Sequence, residues 1–340
     1  MRAARAVLKR LQCIALSLLL GSGWWLWESR GSASASKTVT PGREVMCVYI
    51  AQVRRLPQGA QVVHVWAPLA ETGLEQRILN RDIRSPAPYA IAKDPDYGND
   101  ILHVTLKSPV PEHVEIAVEY RARLFSADTD LQHPTPTPDE LHHDLQPSGL
   151  VIIDDDVRDR ARQATSGRLT QVEQARGIYE YVRRVMSYDK TTQGWGRGDT
   201  RRACLLGRGN CTDFHSLFIS MARSERIPAR FKIGVVIPQE PSGIVPGYHC
   251  WAEFYVEGRG WVPVDASEAW KHPEKADYYF GAHDPNRFLM SVGRDIQMVP
   301  KQQGGPVNIF FSPYVEVDGQ AFSDVGVEVR FEDLQQGRAI

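Results

Sequence analysis

Three residues of this chain have the types and the order that a thiol nucleophile requires. Cys211 stands in Gly209-Asn210-Cys211-Thr212-Asp213-Phe214, His249 in Tyr248-His249-Cys250-Trp251-Ala252-Glu253, and Asp265 in Gly260-Trp261-Val262-Pro263-Val264-Asp265-Ala266. A thiol attacks poorly until it loses its proton, and a helix N-terminus and an imidazole are the two usual means of removing it near neutral pH. Cys211 follows a glycine-ended loop and opens an amphipathic pattern. Its sulfur is therefore expected at the start of a helix, where unpaired N–H groups and the positive end of the dipole favour an anion. That effect is worth about 0.3–1 kcal/mol at an exposed site, whereas one pKa unit corresponds to about 1.4 kcal/mol. The dipole alone cannot take a thiol far below its usual pKa, so an imidazole is required and His249 is the candidate. Asp265 would then orient the ring and support its cation. Asp213 works against a thiolate, although a carboxylate suits the first turn of a helix.

Each of these residues also has a plainer reading. Cys211 could be a buried core cysteine, or one half of a disulfide, most simply with Cys204. His249 falls on an expected strand with Trp251, Glu253 and Tyr255 on the same face, where a packed histidine is ordinary. His215 lies four residues after Cys211 on the same helical face, so a local Cys–His pair is an alternative. It ranks lower because a group one turn inside a helix is badly placed to reach a substrate held at the helix mouth. Counting along the hairpin does not place Asp265 on His249. Folding about Gly258-Arg259 sets Asp265 opposite Ala252, and a three-residue loop sets it opposite Glu253, which leaves a gap of roughly 10–13 Å at about 3.3 Å per residue. The shorter loop also sends it to the other face, so contact demands that the strand end bend or bulge.

The elements that must position these residues follow from periodicity. Residues 37–125 read as a small all-β sandwich. Its runs at 45–53, 61–66, 101–106 and 114–120 are rich in β-branched and aromatic residues, and Gly, Pro and Asp clusters such as 94–100 separate them. Residues 126–150, with Pro134, Pro136, Pro138 and Pro147, read as a linker. His133, His142, His143 and Asp144 fall there without the ligand-pair spacing of a metal site, and a solvated polar linker is the simpler account. Helices are expected over 155–164 and from the Thr170-Gln171-Val172-Glu173 capping box to about Met186. A glycine-rich loop over 191–208 leads to Cys211, and the helix it opens ends before Pro228. Strands are expected at 230–237, 248–256, 261–264, 288–292 and 307–311, with Glu257-Gly258-Arg259-Gly260 as a hairpin turn. Residues 319–340 read as a C-terminal extension.

Composition narrows the class. The 340 residues are 42% hydrophobic and 24% charged with a formal net charge of -1, an ordinary globular balance that gives no support to nucleic acid as a partner. The N-terminus reads as a targeting segment: Arg2, Arg5, Lys9 and Arg10, then an uncharged apolar run from Leu11 to Trp27, then Ala33-x-Ala35 as a cleavage pattern. Residues 1–36 are thus a cleaved signal or, given Trp24, Trp25 and Trp27, a single retained membrane anchor. Either way the bulk is exported, periplasmic or secreted. In an oxidising compartment Cys47, Cys204, Cys211 and Cys250 could make two disulfides, but their density is low and Cys250 lies in an apolar strand pattern that suits a buried free thiol. No pattern of oxygen ligands suggests calcium, so neither metal nor cofactor is expected.

Gly209-Asn210-Cys211-Thr212-Asp213, Arg226-Ile227-Pro228-Ala229-Arg230, His249-x-Trp251-x-Glu253 and Gly260-Trp261-x-x-x-Asp265 together resemble the core of the transglutaminase-like superfamily, a circularly rearranged relative of the papain fold. The resemblance covers about residues 150–318. It implies an α+β core over 151–318, with an antiparallel sheet and a catalytic helix, preceded by the all-β sandwich. Val65-Trp66-Ala67-Pro68-Leu69 resembles part of the amino-terminal domain of bacterial members. The matching positions imply Cys211 as nucleophile, His249 as general base and Asp265 as its orienting acid. Ala266 departs from the proline that usually follows the aspartate, which leaves the triad intact. Trp195 or Gln193 could help form an oxyanion hole, with a packed tryptophan the plainer account of Trp195. The implied reaction is attack of a thiolate on an amide carbonyl to give a thioester, by a peptidase, amidase or acyltransferase, with a protein or peptide of the cell envelope as substrate. The alternative is a catalytically silent binding or scaffold module of the envelope, favoured by the added β domain and the aromatic loops around Trp195, Tyr248, Trp270, Tyr278, Tyr279 and Phe280.

Overall fold

Alternation of apolar and polar side chains builds the first half of the fold. The computed structural model describes residues 42–128 and 136–334. The targeting segment and His133 lie outside the described residues, and among those described no helix is long and apolar enough to cross a membrane. Strands β1 (Arg43–Val53), β2 (Val62–Leu69), β3 (Gln76–Arg84), β4 (Tyr89–Lys93), β5 (Asp100–Lys107) and β6 (Val114–Leu124) come first. The middle of the chain holds β7 (Ala127–Asp128), α1 (Pro138–His143), α2 (Asp155–Thr165), α3 (Gln171–Val185), β8 (Ser187–Tyr188), α4 (Thr200–Leu206), β9 (Arg208–Gly209) and α5 (Cys211–Ser224). Then follow β10 (Ala229–Val236), β11 (Ser242–Ile244), β12 (His249–Val256), β13 (Gly260–Val264), α6 (Ala266–Lys271), β14 (Ala282–His283), β15 (Arg287–Val292), β16 (Tyr314–Val317), β17 (Gln320–Phe322) and β18 (Val325–Asp333). The architecture is mixed α+β.

Two five-stranded sheets, ordered β11-β18-β1-β6-β3 and β17-β16-β2-β5-β4, make up the β-rich part. Val45, Cys47, Tyr49, Ala51 and Val53 of β1 share one buried cluster with Val63, Val65, Ala67 and Leu69 of β2, as a period of two requires. Burial pushes the Cys47 thiol up to about 12, in keeping with its place as a small core side chain. The third sheet is four-stranded, β13-β12-β10-β15, and α5 lies against it, with Phe214, Leu217, Phe218, Met221 and Ala222 all buried. Helix α3 adds Ile178, Tyr179 and Val182 to the same core.

Several expectations change. The C-terminal residues are not an appendage: β16 pairs with β2, and β18 pairs with β1 from Val45↔Asp333 to Val53↔Val325. The period-two pattern Val325, Val327, Val329, Phe331 is present in the sequence, but a partner nearly three hundred positions away is not. Strands β3 and β4 were not expected. Both lie at sheet edges: β4 is short and largely exposed, and a register shift between Ile78 and Asn80 breaks the alternation of β3. Within the expected linker, α1 forms because Pro138 occupies a position at the helix start that needs no N–H donor, and Thr137 and Glu140 make a capping box. Residues 200–206 of the expected loop form α4, capped by Asp199 and ended by Gly207 in the left-handed region at φ 58°. Residues 307–311 are not a strand; Val307 makes only a bridge to Ile296.

The pairing of β18 gives a prediction. Phe331 is buried opposite Cys47, so Phe331→Ala should destabilise the protein by about 3 kcal/mol, as expected for removing a core ring. Denaturant unfolding measures this, and a parental midpoint would mean that β18 contributes nothing to the core.

Candidate active site

Helix α5 starts where it does because Asn210 caps it. The Asn210 Oδ1 accepts from the Thr212 N–H at 2.9 Å, and its Nδ2 donates to the Tyr248 hydroxyl at 2.7 Å. Asp213 completes the capping box by accepting from the Asn210 N–H at 3.0 Å. The same carboxylate accepts from the amides of Gly196 at 2.7 Å and Gly198 at 3.1 Å. Those glycines have φ of 78° and 64°, a region that costs other residues free energy, so the glycines of this loop let it fold down onto the helix start. Burial raises the Asp213 pKa against these amide bonds. Asp213 is therefore a clamp for the loop, and its charge is spread over amide donors rather than aimed at the sulfur.

Cys211 is the first residue of α5 and is 1% exposed. The side chains of Cys250 and His249 are the groups that act on its sulfur. The thiol of Cys211 sits well below its ordinary pKa: the hydrogen bond from Cys250 contributes most, and the hydrogen bond and charge of His249 add to it against the opposing effect of burial. Cys250 moves well above its ordinary value through burial and through contact with Cys211, and its Sγ lies 3.6 Å from the Thr212 hydroxyl. Within this sulfur pair the two shifts run in opposite directions, Cys211 down and Cys250 up.

The hairpin solves the problem that counting left open. Val256 pairs with Gly260 and Ala252 with Val264, so the register sets residue 265 level with Trp251, one step closer to His249 than the shorter expected loop and two steps closer than the longer one. The chain then leaves the sheet. Val264 bridges to Phe280, the Asp265 amide donates to the Tyr279 carbonyl at 2.9 Å, and Asp265 caps α6 with φ -130° and ψ 87°. Its Oδ1 accepts from the Glu268 amide and the Ser267 hydroxyl, each at 2.9 Å. That leaves Oδ2 to meet the His249 Nε2 at 2.7 Å. An ionised carboxylate only accepts, so Nε2 carries a proton and Nδ1 is the nitrogen left for the sulfur. Burial lowers the His249 pKa, but the charge and hydrogen bond of Asp265 and the contact with Cys211 outweigh it and bring the ring up to about 9. Asp265 falls well below the usual carboxylate range: burial opposes this, while His249 and Arg287 drive it.

His215, the alternative partner, does something else. Its Nε2 accepts from the Ala266 amide at 3.1 Å, so the proton is on Nδ1, which lies 4.0 Å from the Cys250 sulfur. Burial lowers its pKa. It is a neutral prop beneath the turn that carries Asp265. All four described cysteines are free, which removes the Cys204–Cys211 disulfide. Trp195 is 37% exposed rather than packed, with the Lys190 ammonium 6.0 Å from its ring. The Gln193 carbonyl accepts from Arg202. Of the linker residues, Asp144 pairs with Arg223 at 3.4 Å and His143 packs edge-on against Tyr97. No group of metal-ligating side chains is present among the described residues.

Arg287 was missed. It opens β15, is 2% exposed, and its Nη1 lies 2.7 Å from the Asp265 Oδ2. The available signal was a charged residue at the head of an apolar run, Arg287-Phe288-Leu289-Met290. Nothing local shows that the run ends beside Asp265.

Residues 158–266, which contain Cys211, His249 and Asp265, match the family model described as the transglutaminase-like superfamily. An uncharacterized protein of Haemophilus influenzae is 26% identical over 307 residues, 78% of this chain and 83% of its own length. A solved structure described as “a Putative Cysteine Protease from Cytophaga hutchinsonii” covers 85% of this chain and 90% of its own, with a TM-score of 0.57 and 14% identity. At that identity the likeness is one of fold. The likeness to the periplasmic domain of TgpA from Pseudomonas aeruginosa is looser, with a TM-score of 0.35 and 14% identity over 71% of this chain and 92% of that one. The match over residues 158–266 places a transglutaminase-like segment within a mixed α+β fold.

The clamp on the glycine loop is testable. Asp213→Asn keeps the shape but has one acceptor oxygen for the donors of Asn210, Gly196 and Gly198, so it should cost about 1–3 kcal/mol through unsatisfied buried amides. Faster hydrogen exchange at Gly196 and Gly198 should accompany that loss. Unchanged exchange would separate the loop from Asp213.

Proposed function

We propose that the transglutaminase-like domain of this chain is an exported thiol enzyme acting on amide bonds of proteins or peptides in the cell envelope. The observation that carries this reading is the 2.7 Å contact of His249 with Asp265 beside the sulfur of Cys211. The Cys211 thiolate attacks the amide carbonyl, and a tetrahedral intermediate forms. Its collapse breaks the C–N bond as the His249 imidazolium gives its Nδ1 proton to the departing amine. The acyl group is then a thioester on Cys211 and the imidazole is neutral. His249 takes a proton from water or from an acceptor amine, whose attack breaks the C–S bond and restores the thiolate–imidazolium pair. Asp265 holds the ring in the tautomer both steps need. Export is supported by the basic flank, the Leu11–Trp27 run and the Ala33-x-Ala35 pattern.

A second reading is a silent recognition module, favoured by the 1% exposure of Cys211 and by the partly exposed aromatic side chains Trp195, Trp270 and Tyr278. Alkylation separates the two. Cys211 should react with iodoacetamide below pH 7, and His249→Ala should slow that reaction at pH 6 by at least about tenfold, the change in thiolate fraction for one pKa unit. A wild-type rate that rises only near the ordinary thiol pKa would rule out the catalytic reading. Retention of biological activity by Cys211→Ala would establish the module.

A further inference from the structure

We propose that Arg287 is a positioning residue that keeps Asp265 ionised while His249 gains and loses its proton, and so limits how tightly His249 holds that proton. The inference rests on the triad reading above. Two cationic side chains share one oxygen: the His249 Nε2 and the Arg287 Nη1 are each 2.7 Å from the Asp265 Oδ2. Arg287 and Asp265 are both 2% exposed and His249 is 7% exposed, so water does little to screen them. The Nε and Nη1 of Arg287 lack aligned hydrogen bonds among the described residues, and the guanidinium lies 5.1 Å from the centre of the Trp251 ring. Arg287 therefore acts on Asp265 as a nearby charge on an aromatic support rather than as a bidentate fork.

Charge bookkeeping over the reaction gives this contact a purpose. In the resting site the thiolate of Cys211, the imidazolium of His249, the carboxylate of Asp265 and the guanidinium of Arg287 sum to zero. After acylation the sulfur is a neutral thioester and His249 has released its proton to the amine. Asp265 and Arg287 then remain as a pair that again sums to zero. Without Arg287, the acyl-enzyme would leave a carboxylate buried with no compensating charge, which is costly. The simplest relief would be for His249 to keep its proton, and that opposes departure of the amine. Besides Asp265, His249 faces Cys211, the Trp251 ring at 6.3 Å and, close enough to act on its charge, His215. Behind Asp265 stands His215, neutral and bonded to the Ala266 amide. Arg287 faces the carboxylates of Asp284 and Glu268 in addition to Asp265, and His283 packs on the Trp251 ring at 5.9 Å with Glu75 beyond it at 3.6 Å.

The test is the titration of the His249 imidazole, followed by NMR on histidine-labelled full chain. Arg287→Gln should raise the His249 midpoint by about one pH unit or more, in line with the loss of a neighbouring charge, and should slow acyl transfer to an amine acceptor. Arg287→Lys, which restores the charge without the guanidinium, should return the midpoint towards that of the wild type. Equal midpoints in wild type and Arg287→Gln would overturn the proposal. If Arg287→Gln does not fold, the wild-type protein answers instead: the Arg287 Nε–H resonance should inflect at the His249 midpoint, and a flat response there also overturns it. Failure of the triad reading is seen separately, as absence of Cys211 alkylation below pH 7 in the wild type, and leaves the His249 midpoints readable.

Discussion

The contact between His249 and Asp265 exists because β13 stops at Val264. Had the strand run on, its side chains would have alternated across the sheet and residue 265 would have stayed within the hairpin. Instead the Val264–Phe280 bridge and the bond from the Asp265 amide to Tyr279 turn the chain, and the new helix needs a capping acceptor for the Glu268 amide. One carboxylate oxygen meets that need and the other is left for the imidazole. Asp265 thus ends a strand, starts a helix and holds the His249 ring, and each role constrains the other two.

The opposite wall of the site is built on the same economy. Asn210 caps α5 with its oxygen and holds Tyr248 with its nitrogen, while Asp213 clamps the Gly196 and Gly198 amides. The sulfur of Cys211 therefore sits at a helix start whose flanking loop has few ways to move. Its pKa is lowered by neighbours, Cys250 first and then His249, against the opposing effect of burial.

The β-rich part is tied to this core by charge as well as by apolar packing. Glu75, from the turn before β3, accepts from the Lys232 ammonium at 2.6 and 2.7 Å, and Lys232 also meets Glu253 at 2.7 Å. Glu253 in turn holds Arg230, whose guanidinium stacks 4.0 Å from the centre of the Trp261 ring. Buried ion pairs of this kind add little net stability because both charges must be desolvated, yet removing one partner is expensive. Their effect is to specify which surfaces meet. Glu253 belongs to the His249-x-Trp251-x-Glu253 pattern, so one face of β12 serves the candidate site at one end and the junction at the other.

What was legible in the sequence is local. The capping signals at Thr170 and Asn210, the helical stripe from Phe214 to Ala222 and the alternation in β1, β5 and β6 depend on residues within a few positions of one another, and the structure places those elements to within a residue or two, except that β6 runs four residues further, to Leu124. The order of Cys211, His249 and Asp265 could be read for the same reason, since each stands inside a short pattern. What only the tertiary structure decided is pairing at a distance: β18 against β1, Arg287 against Asp265, and the neutral tautomer of His215 beneath the Ala266 amide. Each of those depends on which surfaces face one another once the chain is compact. Free energies of buried charges and edge strands are set by that environment, and a linear string of residues does not carry it.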